Sequence, residues 1–229
     1  MLGILLKKYR KREKEKVLRI FLYSCNALCL DTMVSQFFDT LFGSLPVEVL
    51  AQLKAQRELE LKALKNTTLA ERHEVEKNHF ERYDDWLDRC DFGPRWLQTV
   101  SIARIVAREI HNLNRDRNRL MAYCIMPNHV HLLIESLIRE QANHRGKSAK
   151  YPVTETLRLL KGRTARDCNL ELKRTGSFWQ HESYDHGLRD DKEVERTIRY
   201  ILNNPVKAAL VTEWKNWLFT YVAPGMCEW

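Results

Sequence analysis

RLMAYCIMPNHVHLLIE, residues 119–135, decides the fold. An apolar and aromatic run from Arg119 to Met126 stops at Pro127-Asn128, and a second extended run goes from His129 to Glu135. Proline and asparagine are turn formers, so the two runs are predicted as strands joined in a hairpin, which makes the sheet antiparallel. Side chains two apart on a strand share a face. Val130, Leu132 and Ile134 are therefore predicted to point to a core, with His129 and His131 together on the other side. Two imidazoles so placed can hold one divalent ion, or can be incidental histidines near a sheet edge. The pair alone leaves both open.

Working outward, helices surround this hairpin. Residues 46–65 and 68–89 repeat apolar side chains at helical spacing, with Pro46 at the first turn and Phe80, Tyr83 and Trp86 read as core packing. Gly93-Pro94 breaks the chain before an amphipathic helix at about 101–112, carrying Ile102, Ile105, Val106 and Ile110. Ser35–Phe42 offers a further strand. Thr154–Leu172 reads as a helix, and Phe178–His186 as an edge strand or binding loop. A last helix starts at Asp190, an N-cap with Glu193 three residues on, and is predicted to end before Pro205. This order predicts an α+β fold, a ferredoxin-like antiparallel sheet with packed helices. One domain is expected over 35–223 with a helical insertion at about 47–113, a basic and apolar extension over 1–34, and a tail over 224–229.

At 229 residues with 44% apolar side chains, the chain can bury a real core. Lysine and arginine exceed aspartate and glutamate by 38 to 30, a formal charge of +8 that favours polyanionic partners. The excess concentrates at 139–174, where ten basic side chains face four acids. Six cysteines, at 25, 29, 90, 124, 168 and 227, form no Cys-x-x-Cys pair of the structural-zinc kind, which points to reduced thiols. Lys7–Lys16 followed by Val17–Leu30 imitates a signal peptide in order. Glu13, Glu15 and Arg19 argue against one, and the apolar run is too short to span a bilayer.

A third group is needed beside the histidines. Tyr200 and Asn204 lie four apart on the last helix and so project from one side of it. The Asn204 amide oxygen is the candidate third ligand. An oxygen donor and an open coordination shell suit Mg²⁺ or Mn²⁺ better than structural zinc. A tyrosine beside a phosphate-binding metal can attack a phosphodiester and retain the bond energy in a phosphotyrosine. No acidic metal-ligand cluster accompanies the pair in this reading, which disfavours an unrelated metal hydrolase.

The segments MPNHVHLLIE (126–135), LKGRTAR (160–166), FWQHESYDH (178–186) and YILNNPVK (200–207), in this order, resemble the REP-associated tyrosine transposases. These are single-tyrosine members of the HUH endonuclease group, and the resemblance covers about 45–222. It implies an HUH endonuclease fold with His129 and His131 as metal ligands, Tyr200 as nucleophile and Asn204 as third ligand. It also implies cleavage of single-stranded DNA next to palindromic hairpin repeats of the REP type, leaving a 5′-phosphotyrosine and a 3′-hydroxyl. The expected setting is bacterial, cytoplasmic and nucleoid-associated. One nucleophilic tyrosine per chain means one cleavage at a time, by a monomer or a homodimer. Beside this, Lys161, Arg163, Arg166 and Lys207 are read as phosphate contacts and Trp179 and Tyr184 as faces for unpaired bases. His181 and His186 are read as DNA contacts or partners of the ligands. The rival reading is a domesticated relative that binds DNA hairpins without cutting them.

Overall fold

The computed structural model describes residues 33–64, 68–113, 118–136, 152–181, 183–188 and 190–227. Five strands, β1 (Met33–Thr40), β2 (Asn118–Ile125), β3 (His129–Ser136), β4 (Tyr184–Leu188) and β5 (Thr220–Val222), form one sheet in the order β4-β1-β3-β2-β5. Every pairing is antiparallel. The helices are α1 (Val47–Ala63), α2 (Leu69–Asp88), α3 (Val100–Leu113), α4 (Pro152–Glu171) and α5 (Asp191–Lys207). With β5 set aside, β1-α3-β2 and β3-α4-β4 are the two interleaved crossover units of a ferredoxin-like sheet, as the motif order predicts.

The hairpin closes where Pro127 removes a donor and Met126 N–H donates to the His129 carbonyl at 2.9 Å. β1 lies inside the sheet between β4 and β3, which explains why Phe37 and Phe38, on opposite faces, are both buried. Phe37 packs with Ile102, Val106 and Ile110 of α3 and with Leu157 and Leu160 of α4 on one face. Phe38 packs on the other with Leu53 of α1 and Phe80 and Leu87 of α2. That second face also carries Leu133 under Ile198, Ile201 and Leu202 of α5. The histidines belong to this face and are fully buried beneath its helices.

Four expectations change. Pro205 lies inside α5, which continues to Lys207; the missing N–H costs one bond, while Ala208 N–H still reaches the Asn204 carbonyl at 2.9 Å. Helix α3 belongs to the core crossover, so the helical element inserted between β1 and that crossover is the α1–α2 hairpin. A three-residue strand, β5, extends the sheet beyond β2, with Tyr221 stacked on Tyr123 at 5.5 Å. Met226, from the segment read as a tail, is buried under α5. Of the 1–34 extension, Met33 and Val34 open β1; residues 1–32, with Cys25 and Cys29, lie outside the described residues. Among the described residues no helix is long and apolar enough to cross a membrane.

The α1–α2 hairpin is built by its own chemistry. Thr68 and Glu71 form a reciprocal cap at the start of α2. Arg57 pairs with Glu76 at 2.6 Å and Arg82 with Glu60 at 2.7 Å across the two helices.

Candidate active site

Strand β3 delivers both histidines, fully buried, to the space between the sheet, α2 and α5. Their Nε2 atoms stand 3.1 Å apart. The Asn128 side-chain oxygen lies 2.7 Å from His129 Nδ1, so Nδ1–H donates there and Nε2 is left bare toward His131. Asn128 is itself oriented by donating from Nδ2 to the Leu87 carbonyl at 3.1 Å. Asn128 was read as turn chemistry; its second task, steering a histidine, depends on a contact with α2.

The group that completes the cluster is Asp84 of α2, whose Oδ1 lies 3.2 Å from His131 Nε2 and 3.6 Å from His129 Nε2. Ligands held ~2.1 Å from an ion stand ~3.0 Å apart at right angles and ~3.4 Å at the tetrahedral angle. The 3.1 and 3.2 Å spacings fall in that range and the 3.6 Å spacing just exceeds it, and Asp84 Oδ1 is buried with no hydrogen-bond partner among the described residues. Two imidazoles and a carboxylate therefore suit a divalent ion here. This corrects the expectation that no acid accompanies the pair. The signal was present in α2, where Asp84 and Asp88 fall on the stripe with Phe80 and Leu87. A charged residue on an apolar stripe marks a buried, partnered group.

The same carboxylate reaches the tyrosine. Tyr200 Oη donates to Asp84 Oδ2, so Asp84 bridges the histidines to the phenol. Burial and the Asp84 charge push the Tyr200 hydroxyl well above its ordinary pKa. Burial alone would raise Asp84, but His131, His129 and the Tyr200 bond outweigh it and hold the carboxyl below the usual range. Burial and then His131 push His129 down to about 3, which keeps it neutral as a ligand must be. Burial, with Asp84 beside it, pushes Asp88 up to about 6. Lys207 Nζ lies 2.7 Å from Asp85, 3.0 Å from Asp88 and 3.5 Å from Asp84, and 5.8 Å from the Tyr200 ring centre.

Asn204 shares the buried side of α5 with Tyr200. Its Nδ2 donates to the Tyr200 carbonyl at 3.3 Å, and its Oδ1 is buried with no hydrogen-bond partner among the described residues. The third donor closing on the histidines is Asp84, which the sequence reading passed over.

The residues read as DNA contacts separate into different roles. Lys161 is turned inward, 3.2 Å from Asp39 and donating to the Gln180 carbonyl at 2.7 Å and to Ser183 Oγ at 2.9 Å. Trp179 is a core residue whose Nε1 donates to Thr164 at 2.8 Å, so its face is not open to a base. Both serve the α4 side because an amphipathic helix on a sheet must bury one stripe. Arg163 and Arg166 are exposed, Arg163 lying 3.9 Å from Glu109, but α4 covers the sheet face opposite the histidines. His181 is exposed. His186 pairs with Glu193 at 3.1 Å and meets the His73 ring at 5.1 Å. Tyr184 opens β4, but its side chain lies outside the described residues, as do basic residues 139, 145, 147 and 150.

Residues 103–204 match the family described as Transposase IS200 like. A Haemophilus influenzae protein named as a REP-associated tyrosine transposase is 32% identical over 100 residues, 44% of this chain and 56% of that protein. The chain thus spans just over half the length of this curated relative. A solved REP-associated tyrosine transposase bound to a REP hairpin is 17% identical, covering 83% of this chain and 76% of that one, with a TM-score of 0.47. The matched stretch, 103–204, contains His129, His131, Tyr200 and Asn204. Asp84 lies outside it.

Proposed function

We propose that the protein is a divalent-metal-dependent endonuclease and strand transferase for single-stranded DNA, acting at palindromic hairpin repeats through Tyr200. The observation that carries this reading is the convergence of both histidine Nε2 atoms and the Tyr200 hydroxyl on one carboxylate, Asp84. A phenol and an ion site share a single buried bridge, which is the juxtaposition that attack on a bound phosphate requires.

His129, His131 and Asp84 would hold the ion, Mn²⁺ or Mg²⁺, with the Asn204 oxygen as a further donor. When bound, the ion supplies Lewis acidity that polarises the scissile phosphate and stabilises the departing oxygen. Asn128 holds His129 in the tautomer that offers Nε2. Asp84 Oδ2 already accepts the Tyr200 hydroxyl hydrogen and is the atom that takes it as Oη bonds to phosphorus. The bond to the leaving 3′ oxygen breaks, that oxygen is protonated from solvent, and a 5′-phosphotyrosine remains. A second 3′-hydroxyl reverses the step and joins a different strand. The reading carries with it a cytoplasmic, nucleoid-associated protein, working as a monomer or homodimer, with REP-type hairpins as substrate.

The test is incubation with a hairpin oligonucleotide bearing single-stranded flanks, with Mn²⁺ or Mg²⁺, followed by a denaturing gel. A covalent protein–DNA band is expected, abolished by EDTA and by Tyr200→Phe. A band that survives Tyr200→Phe removes Tyr200 as nucleophile. Hairpin affinity indifferent to EDTA and to His129→Ala, with no band under either metal, establishes the non-catalytic binder instead.

A further inference from the structure

Beside Tyr200, a cavity of about 520 Å³ opens between α2, the β4 edge and the start of α5. This is within the usual size range of small-ligand sites. One wall is Gln36 of β1, which stands opposite His186 and Leu133 in the sheet. Gln36 is only 6% exposed, and its Nε2 is buried with no hydrogen-bond partner among the described residues. A buried amide left unpaired costs free energy that a ligand can return. Opposite it, Phe80 lies 6.0 Å from the Tyr200 ring and also lines the cavity.

The charge of the rim selects the ligand. Glu74, Glu81, Asp190 and Glu193 outnumber Lys77 and Arg196, so a phosphate is repelled. A flat, uncharged group with hydrogen-bonding edges is not. A carboxamide offers a donor and an acceptor side by side, which matches the edge of a nucleobase.

We infer that this cavity takes one unpaired base of the strand that Tyr200 joins, and that Gln36 reads its edge. The inference rests on Tyr200 being the residue that engages DNA. It makes Gln36 a specificity-determining residue, outside the matched segment 103–204.

The experiment uses the Tyr200→Phe protein with Mn²⁺, so that DNA is bound and not consumed. The probe is a hairpin oligonucleotide with a short randomised single-stranded flank, retained on a filter with the protein and sequenced. One flank position is expected to show a base preference of about tenfold or more, the range of a single two-point amide contact. Gln36→Leu, which keeps the volume and an apolar interior, flattens that position alone. Gln36→Glu, which exchanges the amide donor for an acceptor, moves the preference to a base presenting N–H there, and melting curves confirm that both variants are folded. Unchanged preference in both variants overturns the inference, as does a flank with no preference or no retention of any oligonucleotide. Failure of the underlying reading shows separately, as the absence of a Tyr200-dependent covalent band with wild-type protein.

Discussion

The segment 103–204 and the α1–α2 hairpin build one site by different means. The segment supplies His129 and His131 by the two-residue period of a strand, and Tyr200 and Asn204 by the four-residue spacing of a helix. Each pair is placed by one element. The hairpin supplies Asp84 from outside the matched family segment, held by Tyr200, the histidines, and Lys207. Asp84 is fully buried, and a buried carboxylate persists only where partners offset its desolvation. The difference teaches that a family motif can specify part of a site while an attached element completes it.

The sharpest way to break this comparison is Asp84→Ala beside His129→Ala. If the hairpin is part of the site, each lowers Mn²⁺ affinity by about 100-fold or more, beyond what loss of an outer partner costs, measured by calorimetry. Wild-type affinity in Asp84→Ala would mean that the segment binds metal by itself. Asn128→Ala keeps all three donors but frees the His129 ring, and a loss of about 10-fold in Mn²⁺ affinity is expected.

Stability separates the regions next. Ile110→Ala, in the core shared by α3 and the sheet, is expected to cost about 2–5 kcal/mol in urea unfolding with metal binding retained below the transition. Leu53→Ala, on the buried side of α1, costs a similar amount but loosens the hairpin, so it weakens Mn²⁺ binding as well. Equal metal affinity in the two variants would detach the hairpin from the site. The smallest effect is predicted for Arg163→Ala on the far face. At most it lowers the salt slope of hairpin binding by about 1 and leaves the Tyr200 band unchanged.

Periodicity made much of this legible. The hairpin at 119–135 dictated an antiparallel sheet, and the capped helix after Asp190 put Tyr200 and Asn204 on one side. Lys161 and Trp179 were misplaced for a general reason. A charged or aromatic residue on an amphipathic helix or beside a sheet has the same composition whether it meets solvent or an internal partner, and Asp39 and Thr164 are distant in sequence. β5 was missed because three residues are too few for a period to show.

By itself, then, the sequence determined the elements, the sheet's antiparallel sense, the face shared by His129 and His131, and the side of α5 that carries Tyr200. These follow from backbone geometry within single elements. Only the tertiary structure decided that α2 lies over that face, so that Asp84 meets two imidazoles and a phenol at once, and that Gln36 opens on the cavity beside Tyr200. Such meetings depend on how separate elements pack, which hydrophobic burial and ion pairing decide together and no local spacing records.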